Sequence, residues 1–450
     1  MTDRFDPITG KVITVFFHYA IPSVIGMLAV TSAGVIDGIF VGNFIGATAL
    51  AAINISMPVF ALFAAVVFML NVGGSVMCGK FLGEGNQAAA SSIFSKTLYA
   101  SFILALFISG GILLFLDEVV SLLGANEDLR PLVIDYMTII VLAAPLLILA
   151  LTLDYFVRVD GRPILASAAL ILYGVINIAL DWLFIVHWGW GIKGAAAATA
   201  IAEACIFFVL LTHWFSPRCS LKLVAIRDGW NSLFRAAYNG FSEFANEMSI
   251  GLITLLFNWV MITRLGVEGV AAFTIIGYLL YVGLNFCYGI SESLQPTVSK
   301  NLGARQARRI VEFTSIAMIF SLLTGLILCL LFIFLPEFLI SLFLREGEEQ
   351  TVRIALAFIA VFWPAFLFNG MNITLTSYFT ALHKPLQSVV IALSRSLVLP
   401  ALGLLLLPLW LGDTGVYLAI PIAEAITFLI ALMLVFLYRP SDIVRALDAR

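Results

Sequence analysis

Long apolar runs alternate with short charged or turn-rich breaks along almost the whole chain. Twelve such runs can be drawn. The first six cover residues 13–41, 51–75, 92–116, 132–157, 164–187 and 194–213, and the second six 236–262, 270–296, 310–333, 353–380, 385–410 and 414–437. Roughly 20 apolar residues cross the hydrocarbon core as a helix, so the pattern predicts twelve transmembrane helices. The first run is too long for the apolar region of a signal peptide, and no small-residue cleavage site follows it. It is read as the first span.

Composition agrees with that pattern. The chain is 62% hydrophobic and only 11% charged, with a mean hydropathy of +1.08, whereas soluble domains carry about a quarter charged residues. The expected fold class is an all-α integral membrane protein. A net charge of −3 gives no basis for a nucleic-acid partner. Cys78, Cys205, Cys219, Cys287 and Cys329 show neither paired nor metal-ligand spacing, and the four histidines are scattered, so no metal site is expected. No glycine-rich loop ends in Gly-Lys-Ser/Thr, which argues against a nucleotide as energy source or partner. No His/Asp cluster or serine nucleophile is evident, so the chain is not read as an enzyme and no cofactor is expected.

Basic residues orient the spans. With both termini in the cytoplasm, the inner segments hold 18 of the 24 Lys and Arg residues. The outer loops hold five (Arg130, Lys193, Arg264, Arg345 and Arg353), and Arg395 falls inside a span. That asymmetry is the positive-inside signature. The sequence also repeats. Ile45–Ala52 aligns with Leu265–Ala272, and Lys80-Phe81-Leu82-Gly83 with Lys300-Asn301-Leu302-Gly303, at an offset of 220. Pro163 aligns with Pro385, Gly194 with Gly415 and Glu203 with Glu424 at offsets of 222 or 221. The expected organisation is therefore two pseudo-symmetric six-helix lobes, residues 1–213 and 236–450, joined by a cytoplasmic linker over 214–235. Parallel repeats of this kind are a transporter architecture, with the substrate path between the lobes.

Ionisable groups within spans are costly and are functional candidates by default. Asp37 lies near the outer end of span 1. Asn177 and Asp181, at i and i+4, share a face of span 5, and Thr199 lies six residues into span 6 from Lys193. All four fall in the outer half of the membrane within one lobe, where carboxylates and an amide can hold a proton or an ion. The second lobe lacks counterparts: Phe257 and Leu402 stand at the positions matching Asp37 and Asp181. Glu203, four residues after Thr199, is either a cavity group or a scaffold. Glu247 is a deeper candidate for cavity lining than Glu243, which is placed to snorkel. Arg395 is expected to neutralise a carboxylate that the sequence does not identify. Pro22 is a candidate hinge, because a proline within a helix frees a backbone carbonyl and permits a kink.

Taken together, Pro22, Asp37-Gly38-Ile39-Phe40-Val41-Gly42, Gly46, Leu50-Ala51-Ala52-Ile53-Asn54, Pro58, Lys80-Phe81-Leu82-Gly83-Glu84-Gly85, Asn177, Asp181 and Gly194–Thr199 resemble the multidrug and toxic compound extrusion (MATE) family over the whole chain. Acids concentrated in the first lobe resemble its DinF-like branch. The resemblance implies a cation site at Asp37, Asn177, Asp181 and Thr199, bending of helix 1 at Pro22 on protonation, and Tyr136 as a lining residue of the same cavity. It implies a cation-coupled multidrug efflux antiporter of the bacterial inner membrane, multi-pass and monomeric. Such a protein exports amphipathic, often cationic drugs by alternating access, with H+ favoured over Na+ as the coupling ion. The alternative is a flippase for lipid or lipid-linked precursors. Such cavities tend to be basic, whereas this chain offers acids and only Arg395 inside a span.

Overall fold

The computed structural model describes residues 4–341 and 349–448; Arg345 and Arg450 of the charge count lie outside them. The described residues are helical throughout, joined by short turns and one extended linker. Eleven helices are long and apolar enough to cross a membrane: Val12–Ile45, Thr48–Gly83, Gln87–Leu114, Arg130–Val159, Pro163–His187 and Gly191–Phe215 (spans 1 to 6), Phe241–Gly266, Glu268–Gly303 and Ala307–Phe334 (spans 7 to 9), and Pro385–Leu411 and Asp413–Asp448 (spans 11 and 12). The twelfth, span 10, is a broken helix, Glu349–Phe362 followed by Pro364–Ala381 with a 58° bend. The break has a local cause: Pro364 has no N–H to donate, and its ring disfavours helix at the residue before it.

Spans 2 and 8 are longer than their apolar runs predict. Polar residues within both find partners inside the protein. Asn71 in span 2 accepts from the Thr152 hydroxyl at 3.0 Å. In span 8 the Ser293 and Thr297 hydroxyls donate to carbonyls of their own helix, Ile290 O at 2.6 Å and Ser293 O at 2.8 Å. A satisfied polar group no longer argues for an exit from the helix.

The repeat is written into the backbone. Left-handed residues recur in pairs at the repeat offset: Gly46 with Gly266, Gly85 with Arg305, Gly161 with His383, and Gly191 with Gly412. Each pair marks a connection between successive spans. Gly46 (φ 117°, ψ 172°) occupies a region essentially closed to other residues.

The chain forms two compact units: Ile21–Gly240, and the residues up to Ala20 together with those from Phe241 onward. Both divisions differ from lobe boundaries drawn on the sequence. At the amino end, Arg309 donates to the Pro7 and Gly10 carbonyls at 2.7 and 2.6 Å, and Asn301 donates to Pro7 O at 3.0 Å. These bonds and the Phe16–Phe320 ring contact tie the start of the chain to the second unit. Span 1 therefore passes from one unit to the other between Ala20 and Ile21, next to Pro22. The linker belongs to the first unit. Its Lys222 and Val224 amides donate to the hydroxyls of Ser91 and Ser95 at 3.1 and 2.9 Å. Asp228 pairs with the fully buried Lys96 ammonium at 2.8 Å, which holds its carboxyl below the usual value. Leu221 is buried in that unit's core with Phe94, Phe156 and Leu210. The second unit has its own core, in which Phe257, Phe273, Phe358 and Tyr417 stack.

Folding also assembles something the cysteine and histidine spacing did not suggest. Asp160, His213 and Cys219 come together so that their ligand atoms lie within 4.8 Å of one another.

A Cβ added at Gly46 would meet no atom within 4 Å, so the cost of Gly46→Ala is backbone conformation alone, about 1–3 kcal/mol. Thermal unfolding of the purified protein in detergent should show a lower midpoint for Gly46→Ala. His383→Gly, at a position already left-handed without glycine, should change it far less. Equal midpoints for wild type and Gly46→Ala would refute the assignment.

Candidate functional site

The first unit brings its sequence candidates together. Asp37 comes from the outer part of span 1, just before a stretch of π-helix over Val41–Ile45. Asp181 closes the α-helical part of span 5, and π-helix follows at once over Trp182–His187. Such wide turns shift the side-chain register and frequently mark functional positions. The two carboxyl groups are within hydrogen-bonding reach of each other. Asp181 and Asn177 are buried, at 0% and 1% exposure, while Asp37 is half-buried. Asn177 Nδ2 faces Thr199 Oγ1 at 3.4 Å, linking span 5 to span 6. Tyr136 of span 4, also buried, lies close enough to both aspartates to feel their charge.

No Lys or Arg pairs with Asp37, Asp181 or Glu203 among the described residues. Arg130, the cation of span 4 nearer to Tyr136, is committed to Asp117 at 2.7 Å and to the Ser121 hydroxyl at 2.9 Å, and Arg158, at the other end of that span, to Asp154 at 2.8 Å and to Ser23 at 2.6 Å. One oxygen of Asp37 and both of Asp181 have no hydrogen-bond donor among the described residues. Adjacent carboxyl groups without a countercharge disfavour double ionisation, and such a pair can share a proton or take up another small cation. An apolar cluster of Val41, Ala52, Val133, Met137, Ile140 and Ile185 packs around Tyr136.

Tyr173 was not singled out from the sequence. It lies close to Glu203, Asp37, Tyr136 and Asp181. The signal was available, since Tyr173, Asn177 and Asp181 at i, i+4 and i+8 line one helical face. Glu203 thus shares the neighbourhood through Tyr173. Pro22 sits inside a helix that runs without interruption from Val12 to Phe40.

The second unit is not bare of polar chemistry. Arg395 has a partner after all: its Nε lies 3.3 Å from Glu424 Oε1. Glu424 also accepts from Asn369 Nδ2 at 2.6 Å and from Asn372 Nδ2 at 2.7 Å. Arg395 reaches Asn246 Oδ1 at 3.4 Å, and Asn246 donates to the Tyr288 hydroxyl at 3.0 Å. This network is buried, and Arg395 lies on a π-helical stretch, Ser394–Val398. Glu424 therefore takes the scaffold role. Glu247 lies in this unit and shares the surroundings of Glu243 with Glu292 and Arg395.

Removing one partner from a buried ion pair leaves an uncompensated charge and costs about 3–5 kcal/mol. Arg395→Leu should therefore sharply lower the unfolding midpoint in detergent. Adding Glu424→Gln to Arg395→Leu should recover part of the loss, because the remaining group is neutral. A double variant no more stable than Arg395→Leu would contradict the pairing.

A family model, MatE, matches the chain twice, over residues 22–183 and 244–405. A FAD transporter of Shewanella oneidensis is 29% identical over 435 residues, which cover 94% of both chains. The multidrug export protein MepA of Staphylococcus aureus is 24% identical over 434 residues, covering 96% of this chain and 95% of its own. The crystal structure of MATE in complex with MaL6 has a TM-score of 0.91 to this chain, with 21% identity and 100% of both chains covered; that likeness concerns the fold. The two family matches together take in well over half of the sequence, and the chain belongs to the MatE family, whose members are membrane transporters and not enzymes.

Proposed function

We propose that this protein is a proton-coupled multidrug efflux antiporter of the bacterial inner membrane, with its coupling site in the first unit, as in the DinF-like branch. The observation that carries the reading is the proximity of the Asp37 and Asp181 carboxyls, one half-buried and the other buried, without a basic partner among the described residues. Asn177, Thr199 and Tyr136 supply neutral dipoles around them, which suit a group that alternates between charged and neutral forms. The relation to MepA supports multidrug export. In the proposed cycle a proton from the outer side enters the aspartate pair and removes its charge. Span 1 then yields at Pro22, where one i→i−4 hydrogen bond is missing. Substrate leaves outward, and the proton is released inward on return.

A second reading has one observation in its favour: the relative named a FAD transporter is the more similar of the two by identity. A flavin dinucleotide carries phosphates and calls for free cationic groups. The charge of the buried Arg395 is already neutralised by Glu424. The same point weighs against a flippase for phosphate-bearing lipids. The acids at Asp37 and Asp181 favour cationic, amphipathic cargo.

The test is dye efflux from proteoliposomes under imposed gradients. A pH gradient should drive efflux by the wild type, and a Na+ gradient at fixed pH should not. Asp37→Asn and Asp181→Asn should each reduce pH-driven efflux at least tenfold while the proteins remain folded. Pro22→Ala should slow it without abolishing dye binding. Full pH-driven efflux by Asp37→Asn would eliminate the coupling site, Na+-driven efflux would replace the proton, and FAD export without dye export would establish the second reading.

A further inference from the structure

The trio Asp160, His213 and Cys219 lies outside the transport site, on three separate segments of the first unit. Asp160 is in the turn between spans 4 and 5. His213 ends span 6 in a 3-10 turn, Thr212–Phe215, and Cys219 opens the linker. The side chains of His213 and Asp160 are 0% and 1% exposed, and Cys219 is half-buried, which leaves one open approach. We propose that these three residues form a binding site for a divalent transition-metal ion of zinc type, which clamps the linker to the helix ends.

The donor set fits that ion. Carboxylate, imidazole and thiolate together match the borderline-soft Zn2+ and not the hard Mg2+ or Ca2+. Tetrahedral zinc bonds of about 2.0–2.3 Å require ligand atoms less than 4 Å or so apart, and the three already lie within 4.8 Å of one another. His213 Nε2 and Asp160 Oδ2 are 2.7 Å apart, so the ion would replace their direct hydrogen bond and spread them slightly. A supporting shell is in place. Asp160 accepts from the Ser220 hydroxyl and, at 3.0 Å, from the Ser220 amide, bonds that fix the carboxylate's orientation. The Asp160 carboxylate now accepts from His213 Nε2–H; as the metal takes Nε2 that proton leaves, and the imidazole binds as its Nδ1–H tautomer, Nδ1 having no hydrogen-bond partner among the described residues. Cys219 Sγ, which now donates to the Leu221 carbonyl at 3.0 Å, would give up that bond and release its proton to solvent as the thiolate binds. The fourth position stays open to water.

The consequence is mechanical. The linker already rests on the first unit through Ser91, Ser95 and Lys96. A metal at Cys219 adds a bond at its first residues and stabilises the folded form by mass action.

Full-length protein in detergent, stripped with a chelator, should be titrated with Co2+ as a spectroscopic substitute for Zn2+. One equivalent should bind and produce a thiolate-to-cobalt charge-transfer band in the near ultraviolet, which Zn2+ then abolishes by displacement. Cys219→Ser should lose the band, and Cys205→Ser should keep it. His213→Gln should weaken Co2+ binding at least tenfold, and Zn2+ should raise the unfolding midpoint of the wild type but not of Cys219→Ser. Absence of the band in folded wild type, or an undiminished band in Cys219→Ser, would overturn the proposal.

Discussion

A carboxyl group carried into a membrane-spanning helix must be paired with a cation, hold a proton or bind an ion, because its bare charge is too costly there. The two units meet this constraint in opposite ways. In the second, Glu424 is locked between Arg395, Asn369 and Asn372, a fully paired network. In the first, Asp37 and Asp181 have each other and no base among the described residues. A complete pair holds a packed unit together. An incomplete one can change state, and a transporter needs both properties in one chain.

The repeat makes the divergence concrete. Glu203 and Glu424 are repeat mates. Tyr173 lies near the first, and Arg395 is bonded to the second. The shared helical scaffold, down to its left-handed connections, therefore gives one glutamate a neutral hydrogen-bonding neighbour and the other a positively charged one.

The spans were legible because the bilayer imposes a length and an apolar composition on each, and the repeat was legible because tight connections fix glycine positions. Asp37, Asn177, Asp181 and Thr199 stood out because charge and amide are rare in such runs. What sequence reading lost was lateral information. The bonds that satisfy Asn71 and Ser293, both within helices, are concealed by linear polarity. The grouping of the first 20 residues with the second unit depends on Arg309, some 300 positions away. The Asp160–His213–Cys219 trio spans a gap of 53 residues between its first two members, with no periodic spacing to reveal it. The bend in span 10 was readable from Pro364, but a continuous apolar run masked it.

Span 1 joins these strands of argument. It begins among residues held by Arg309 and Asn301 and continues into the unit that contains Asp181. Asp37 lies fifteen residues beyond Pro22, about 22 Å along a helix. An α-helix transmits a displacement over that length because each turn is bonded to the next, and it yields where a bond is missing. Pro22 removes such a bond one residue past the point where the chain changes units. In the proposed cycle, a change of charge at Asp37 would load one end of this helix and the missing bond at Pro22 would be where it yields. The proposal needs both residues: without the proline the helix would resist, and without the acid pair nothing would load it.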